Sequence, residues 1–234
     1  MIGFYNYTVI LTFLGLVVSV FGMTQAMEGH FRMAIFCLAF AGLCDTFDGK
    51  VARTKKDRTD AQKLFGIQLD SLCDIVCFGV FPALICYRLG VRGSLGFIAI
   101  SYYCLCAVMR LAFFNVLETN RQMDASSGEK VYHGLPVTSI AIIFPITFLL
   151  EFLIPEHFFS PLLIIMLFAV ATCFILDFQM RRPKPAILGA LILLAALAVS
   201  VIFFFSRFDP SASAEYPEGP EEPLIDQIGD SVND

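Results

Sequence analysis

Seven stretches of this chain are predominantly apolar over lengths that suit a bilayer, near residues 4–23, 31–52, 66–88, 93–116, 135–154, 159–178 and 184–206. A hydrocarbon core about 30 Å thick takes roughly 17–25 helical residues to cross. A backbone in lipid must also satisfy its own hydrogen bonds. The pattern therefore predicts an all-α, polytopic transmembrane helix bundle. The first run is expected to be a membrane helix rather than a signal peptide, because Met1 to Tyr5 holds no Lys or Arg and the apolar run is too long. The periodicity ends near residue 206. Residues 207–234 are rich in Pro, Ser, Gly and acid, which divides the chain into a membrane domain, 1–206, and an acidic tail expected to be disordered.

Lys and Arg fall unevenly between the runs. Lys50, Arg53, Lys55, Lys56, Arg58 and Lys63 cluster around the connection after the second run, Arg121 and Lys130 follow the fourth, and Arg181, Arg182 and Lys184 follow the sixth. The alternate connections receive only Arg32, Arg88, Arg92 and Arg207. Cytoplasmic loops hold the excess of positive residues, so the N-terminus is expected inside. The basic connections, and any chemistry beside them, then face the cytoplasm.

Composition agrees with the membrane class: 57% of residues are hydrophobic, 16% are charged, and the mean hydropathy is +0.74. The net charge of −5 misleads, because residues 208–234 contain eight Asp or Glu and no Lys or Arg. No nucleic-acid partner is expected. The eight cysteines lie in or beside apolar runs without the doubled spacing of a zinc site, and read as core residues.

Against this background four carboxylates stand out. Asp45 and Asp48 lie three apart at the end of the second run, and Asp70 and Asp74 lie four apart within the third. Each pair projects from one helix face. Charges inside a bilayer cost at least about 2.5–3.5 kcal/mol and mark functional sites. If the two runs are antiparallel neighbours joined through the basic connection, all four acids can meet. Bare carboxylates so placed repel one another, whereas a divalent cation holds them ionised. Oxygen-only ligands suit Mg2+ or Mn2+, and Mg2+ commonly completes its shell with substrate phosphate. Asp57 and Asp60, by contrast, read as ordinary partners of nearby Lys and Arg. Gly49 directly follows Asp48, and Gly66 precedes Asp70 by one turn; each can leave room for a ligand or serve helix packing.

Taken together, the residues spell D-x2-D-G-x2-A-R from Asp45 to Arg53, then twelve residues, then G-x3-D-x3-D from Gly66 to Asp74. This resembles the signature of the CDP-alcohol phosphotransferase family of integral membrane enzymes, in which eight residues usually separate the two halves. The four extra residues fall in the polar connection 54–65. The passages Phe78-Gly79-Val80-Phe81-Pro82-Ala83, Met109 to Val116 and Gly134-Leu135-Pro136 are similar to the serine-using branch of that family. The likeness covers roughly residues 5–178 and implies a six-helix core, with the seventh run added to it.

The resemblance implies transfer of a phosphatidyl group from CDP-diacylglycerol to L-serine, giving phosphatidylserine and CMP. Asp45, Asp48 and Asp70 would be metal ligands, with Asp74 completing or adjoining the site as general base. Arg53 would clamp the pyrophosphate, and Gly49 and Ala52 would make room for the nucleotide. A homodimer in a bacterial or archaeal cell membrane is implied as well. Arg110, with Asn115 five residues on, is either the partner of the serine carboxylate or a side chain that snorkels to the interface or pairs with a motif aspartate. His133 reads as incidental. Two other functions stand beside this one: a sister enzyme using glycerol-3-phosphate or inositol phosphate, and a transporter, which the one-sided clustering of the acids and the lack of an internal repeat disfavour.

Overall fold

A computed structural model describes residues 9–52, 59–123, 132–177, 179–180 and 185–205. The helices are α1 (Ile10–Met27), α2 (Phe31–Ala52), α3 (Asp60–Arg88), α4 (Gly93–Met123), α5 (Val137–Phe152), α6 (Glu156–Ile175) and α7 (Pro185–Phe205). Each predicted run corresponds to one of them. Helix α5 has 3-10 turns at both ends, and α3 contains a π-helical segment, Ile75–Val80. Among the described residues the extended structure is one short antiparallel bridge, Tyr132–His133 against Gln179–Met180. By length and composition α1, α3, most of α4 and most of α6 can each cross a bilayer, whereas α5 and the described end of α7 are shorter apolar helices. Helix α2 is 22 residues long, but Arg32, Asp45, Asp48 and Lys50 lower its apolarity. The protein is an all-α membrane bundle.

Small residues set the closest helix contacts. Gly15, Ser19, Gly22 and Ala26 are the buried residues of α1 and form a single stripe. A methyl group at Gly22 would collide with the Phe81 ring and come 2.7 Å from the Cys37 Cβ. At Gly42 of α2 a Cβ would stand 2.5 Å from that of Ala141 in α5. Helix α7 lies against α2 and α5 and buries Ala195, Ala198, Val199 and Ile202, so it is part of the bundle. Aromatic side chains fill the interior, with Phe78, Phe81, Phe144 and Phe148 at 1% exposure or less. Others, including Phe97 and Phe204, point outward, as expected of a surface facing lipid.

Helix α3 begins at Asp60, a turn and a half before the run predicted from residue 66. Thr59 accepts from the Gln62 backbone N–H while the Gln62 side chain accepts from the Thr59 N–H, a reciprocal capping box. The second half of the connection 54–65 is therefore helix, continuous with the turn that carries Asp70.

Candidate active site

Helix α3 brings Asp70 and Asp74 to one side, and the last turns of α2 bring Asp45 opposite. One carboxylate oxygen from each of Asp45, Asp70 and Asp74 lies within 4.8 Å of the other two. Among the residues whose side chains are described, no Lys or Arg forms an ion pair with any of them, and the buried Oδ1 of Asp70 has no hydrogen-bond partner. Two oxygens held by one small hard cation at about 2.1 Å stand at most about 4.2 Å apart, so a minor side-chain adjustment lets this acidic cluster take a divalent metal.

Asp48 is placed differently. It is buried, accepts from the Thr12 hydroxyl of α1 at 3.2 Å, and stands within hydrogen-bonding reach of Asp70. It adjoins the three-carboxylate group instead of joining it. Beyond Asp45 the Thr138 hydroxyl lies within hydrogen-bonding reach, at the start of α5. Gly49 is exposed, and a Cβ there would meet nothing within 4 Å, so the space beside Asp48 is open.

Arg110 of α4 is 7% exposed. Its Nε donates to the Leu135 carbonyl at 3.1 Å, while its Nη1 is buried without a partner. Leu135 follows Gly134, whose backbone has φ +70° and whose hypothetical Cβ would stand 2.9 Å from the Leu176 carbonyl oxygen. Only glycine fits both demands. The segment from Leu135 to Thr138 thus touches Arg110 at one end and Asp45 at the other. Asn115 accepts from Ser71 Oγ at 2.6 Å and donates to Gln68 Oε1 at 3.4 Å, tying α4 to the stretch of α3 that carries the aspartates. Asp60, by contrast, pairs with Lys63 at 2.9 Å on the surface, as expected.

The other expectations fall on residues of which less is described. Arg53 and Asp57 lie outside the described residues, as do Lys55, Lys56, Arg58 and the tail from 207. Ala52 is the last residue of α2, and His133 lies in the short bridge. Thr12, Thr138 and Gln68 were not anticipated from sequence; single polar residues in apolar or exposed stretches give no signal until the helices are packed.

The sequence profile of CDP-alcohol phosphatidyltransferases matches residues 5–202. The chain belongs to this family. The match runs most of the way along α7, past the residue 178 at which the motif likeness was expected to stop, in keeping with the packing of α7 on α2 and α5. Among curated relatives, the CDP-diacylglycerol–serine O-phosphatidyltransferase of Saccharomyces cerevisiae is 35% identical over 130 residues, 54% of this chain and 46% of the yeast protein. The protein of the same name from Helicobacter pylori is 33% identical over 141 residues, covering 59% of this chain and 54% of its own. The archaetidylserine synthase of Methanothermobacter thermautotrophicus is 34% identical over 118 residues, covering 50% and 46%. The chain thus spans about half the length of the curated relatives it matches. No solved structure matches it significantly.

Proposed function

We propose that the protein transfers a phosphatidyl group from CDP-diacylglycerol to L-serine, releasing phosphatidylserine and CMP. The observation that carries this reading is the meeting of Asp45, Asp70 and Asp74 in an apolar bundle, within the family signature and with no cationic partner among the described residues. The names of the relatives supply the donor and the acceptor.

Asp45, Asp70 and Asp74 would hold a divalent cation, Mg2+ or Mn2+, with Asp48 adjoining. When bound, the cation neutralises charge on the pyrophosphate and on the departing CMP. The residues of the chain do the remainder. Asp74 accepts the proton of the serine hydroxyl as its oxygen bonds to the phosphorus that bears diacylglycerol. The bond from that phosphorus to the bridging oxygen breaks, and CMP leaves with the electron pair. The open space beside Gly49 would admit the nucleotide; by their places in the family signature, Ala52 and Gly66 would also make room for the ligand and Arg53 would clamp the pyrophosphate. Arg110 offers its unpartnered Nη1 to the serine carboxylate, a charge-assisted pair, and Asn115 holds the neighbouring wall.

Arg110 is the single Lys or Arg among the buried polar side chains described. One buried cation suits a carboxylate better than the doubly charged phosphate of glycerol-3-phosphate or inositol phosphate. The reaction runs at the cytoplasmic face of a bacterial or archaeal cell membrane, with the N-terminus inside and two copies forming a homodimer. The test is CMP release from CDP-diacylglycerol by purified protein offered serine, glycerol-3-phosphate or inositol phosphate in turn. Serine alone is expected to support turnover; activity confined to a phosphorylated polyol would overturn the acceptor assignment.

A further inference from the structure

Immediately after Asp74, helix α3 changes pitch. The Phe81 N–H reaches back five residues to the Val76 carbonyl, the signature of a π turn, and the segment spans Ile75–Val80. Pro82 follows two residues later and has no N–H to give the Phe78 carbonyl, four residues before it. That carbonyl accepts instead from the Tyr103 hydroxyl of α4 at 2.5 Å. Tyr103 is wholly buried with its ring 5.7 Å from that of Phe174, so its hydroxyl and the carbonyl satisfy each other where water has no access.

The pitch change has a consequence for the carboxylates. In an unbroken α-helix, Phe78, Phe81 and Ile85 would continue the face of Asp70 and Asp74, because steps of four, three and four stay on one side. One extra residue in a turn rotates the downstream face by roughly 100°. With the π turn in place, Phe81 packs against Gly22 of α1 and Phe78 beside Gly42 of α2, each at 1% exposure or less, and in that same phase Asp70 and Asp74 meet Asp45 of α2.

We infer that Tyr103 is a positioning residue: with Pro82 it holds the π turn whose phase aims Asp74 and Asp70 at Asp45. It touches neither substrate nor carboxylate and acts through the backbone of α3. The inference rests on the transferase reading for its effect on turnover, and on the three-carboxylate geometry alone for its effect on metal binding.

The experiment measures Mn2+ binding to detergent-solubilised protein by electron paramagnetic resonance, alongside CMP release with serine. Wild type, Tyr103→Phe, Pro82→Ala and the double variant are compared. Tyr103→Phe is expected to weaken Mn2+ binding by about tenfold and to lower kcat by a similar factor, with the serine KM within twofold of wild type. Pro82→Ala supplies the missing N–H and lets the turn regularise, so it should weaken Mn2+ binding in the same direction; it serves in place of Tyr103→Phe should that variant fail to fold. The double variant satisfies the Phe78 carbonyl without the π turn and should bind Mn2+ no better than either single variant. Recovery of Mn2+ affinity in the double variant would show that only the orphaned carbonyl mattered and would overturn the inference. So would single variants that both bind Mn2+ within twofold of wild type. Wild-type protein that binds Mn2+ but forms no CMP would defeat the transferase reading and leave the positioning role to be decided by the binding data.

Discussion

Two stretches of helix α3, ten residues apart, treat the same side chain in opposite ways. Asp60 sits in the first turn, exposed, and pairs with Lys63. Asp70 sits deeper, and its Oδ1 is buried without a hydrogen-bond partner, beside three more carboxylates and, among the described side chains, no cation. Exposed ion pairs contribute little to stability, and buried unpaired carboxylates cost a great deal. An acid whose charge is already answered is a surface residue, whereas a group of acids left unanswered inside an apolar bundle calls for something the chain does not contain.

The largest expected effect lies at the unanswered end. Asp74→Asn removes the proposed base while keeping shape, and CMP release should fall at least about 100-fold, checked against retained folding by gel filtration in detergent. Next comes Arg110→Ala. Loss of a charge-assisted hydrogen bond of about 1.5–3 kcal/mol should raise the serine KM at least about tenfold and leave that for CDP-diacylglycerol nearly unchanged. An equal loss for both substrates would instead make Arg110 a packing residue. Thr12→Val takes the hydroxyl from Asp48, and a hydrogen bond of about 1 kcal/mol predicts roughly a fivefold rise in the Mn2+ concentration giving half-maximal activity. Asp60→Asn, at the answered end, should leave CMP release within about twofold, since surface pairs contribute so little. A large loss there would erase the contrast between the two ends of the helix.

Much of this arrangement was legible before any coordinates. The seven apolar runs became seven helices because lipid leaves the backbone no other way to satisfy itself. The spacings of Asp45 with Asp48 and of Asp70 with Asp74 predicted shared faces and a meeting of all four acids; Asp45, Asp70 and Asp74 do meet, and Asp48 adjoins them. The capping box at Thr59 and Gln62 was also written in the residues, yet the start of α3 was placed six residues late because the polar turn before Gly66 hid it. Other features depend on which helix packs on which. That Asp48 turns to Thr12 requires α1 to lie along α2, which the glycine and alanine stripe of α1 permits but no pattern announces. Asn115 stood out only for its place five residues after Arg110, and its partners Ser71 and Gln68 show it bracing α3. The π turn had one visible sign, Pro82, whereas the hydroxyl that serves its orphaned carbonyl comes from a residue 25 positions away from Phe78.

The central claim, that Asp45, Asp70 and Asp74 hold a divalent cation used in forming CMP, is tested most directly by one titration. Purified protein with CDP-diacylglycerol and serine is stripped with a chelator, and CMP is followed as Mn2+ or Mg2+ is returned. Activity should vanish on stripping and return with the ion in wild-type protein, and should not return in Asp45→Asn, Asp70→Asn or Asp74→Asn. Full CMP release in the presence of chelator, or normal recovery in those variants, would contradict the account.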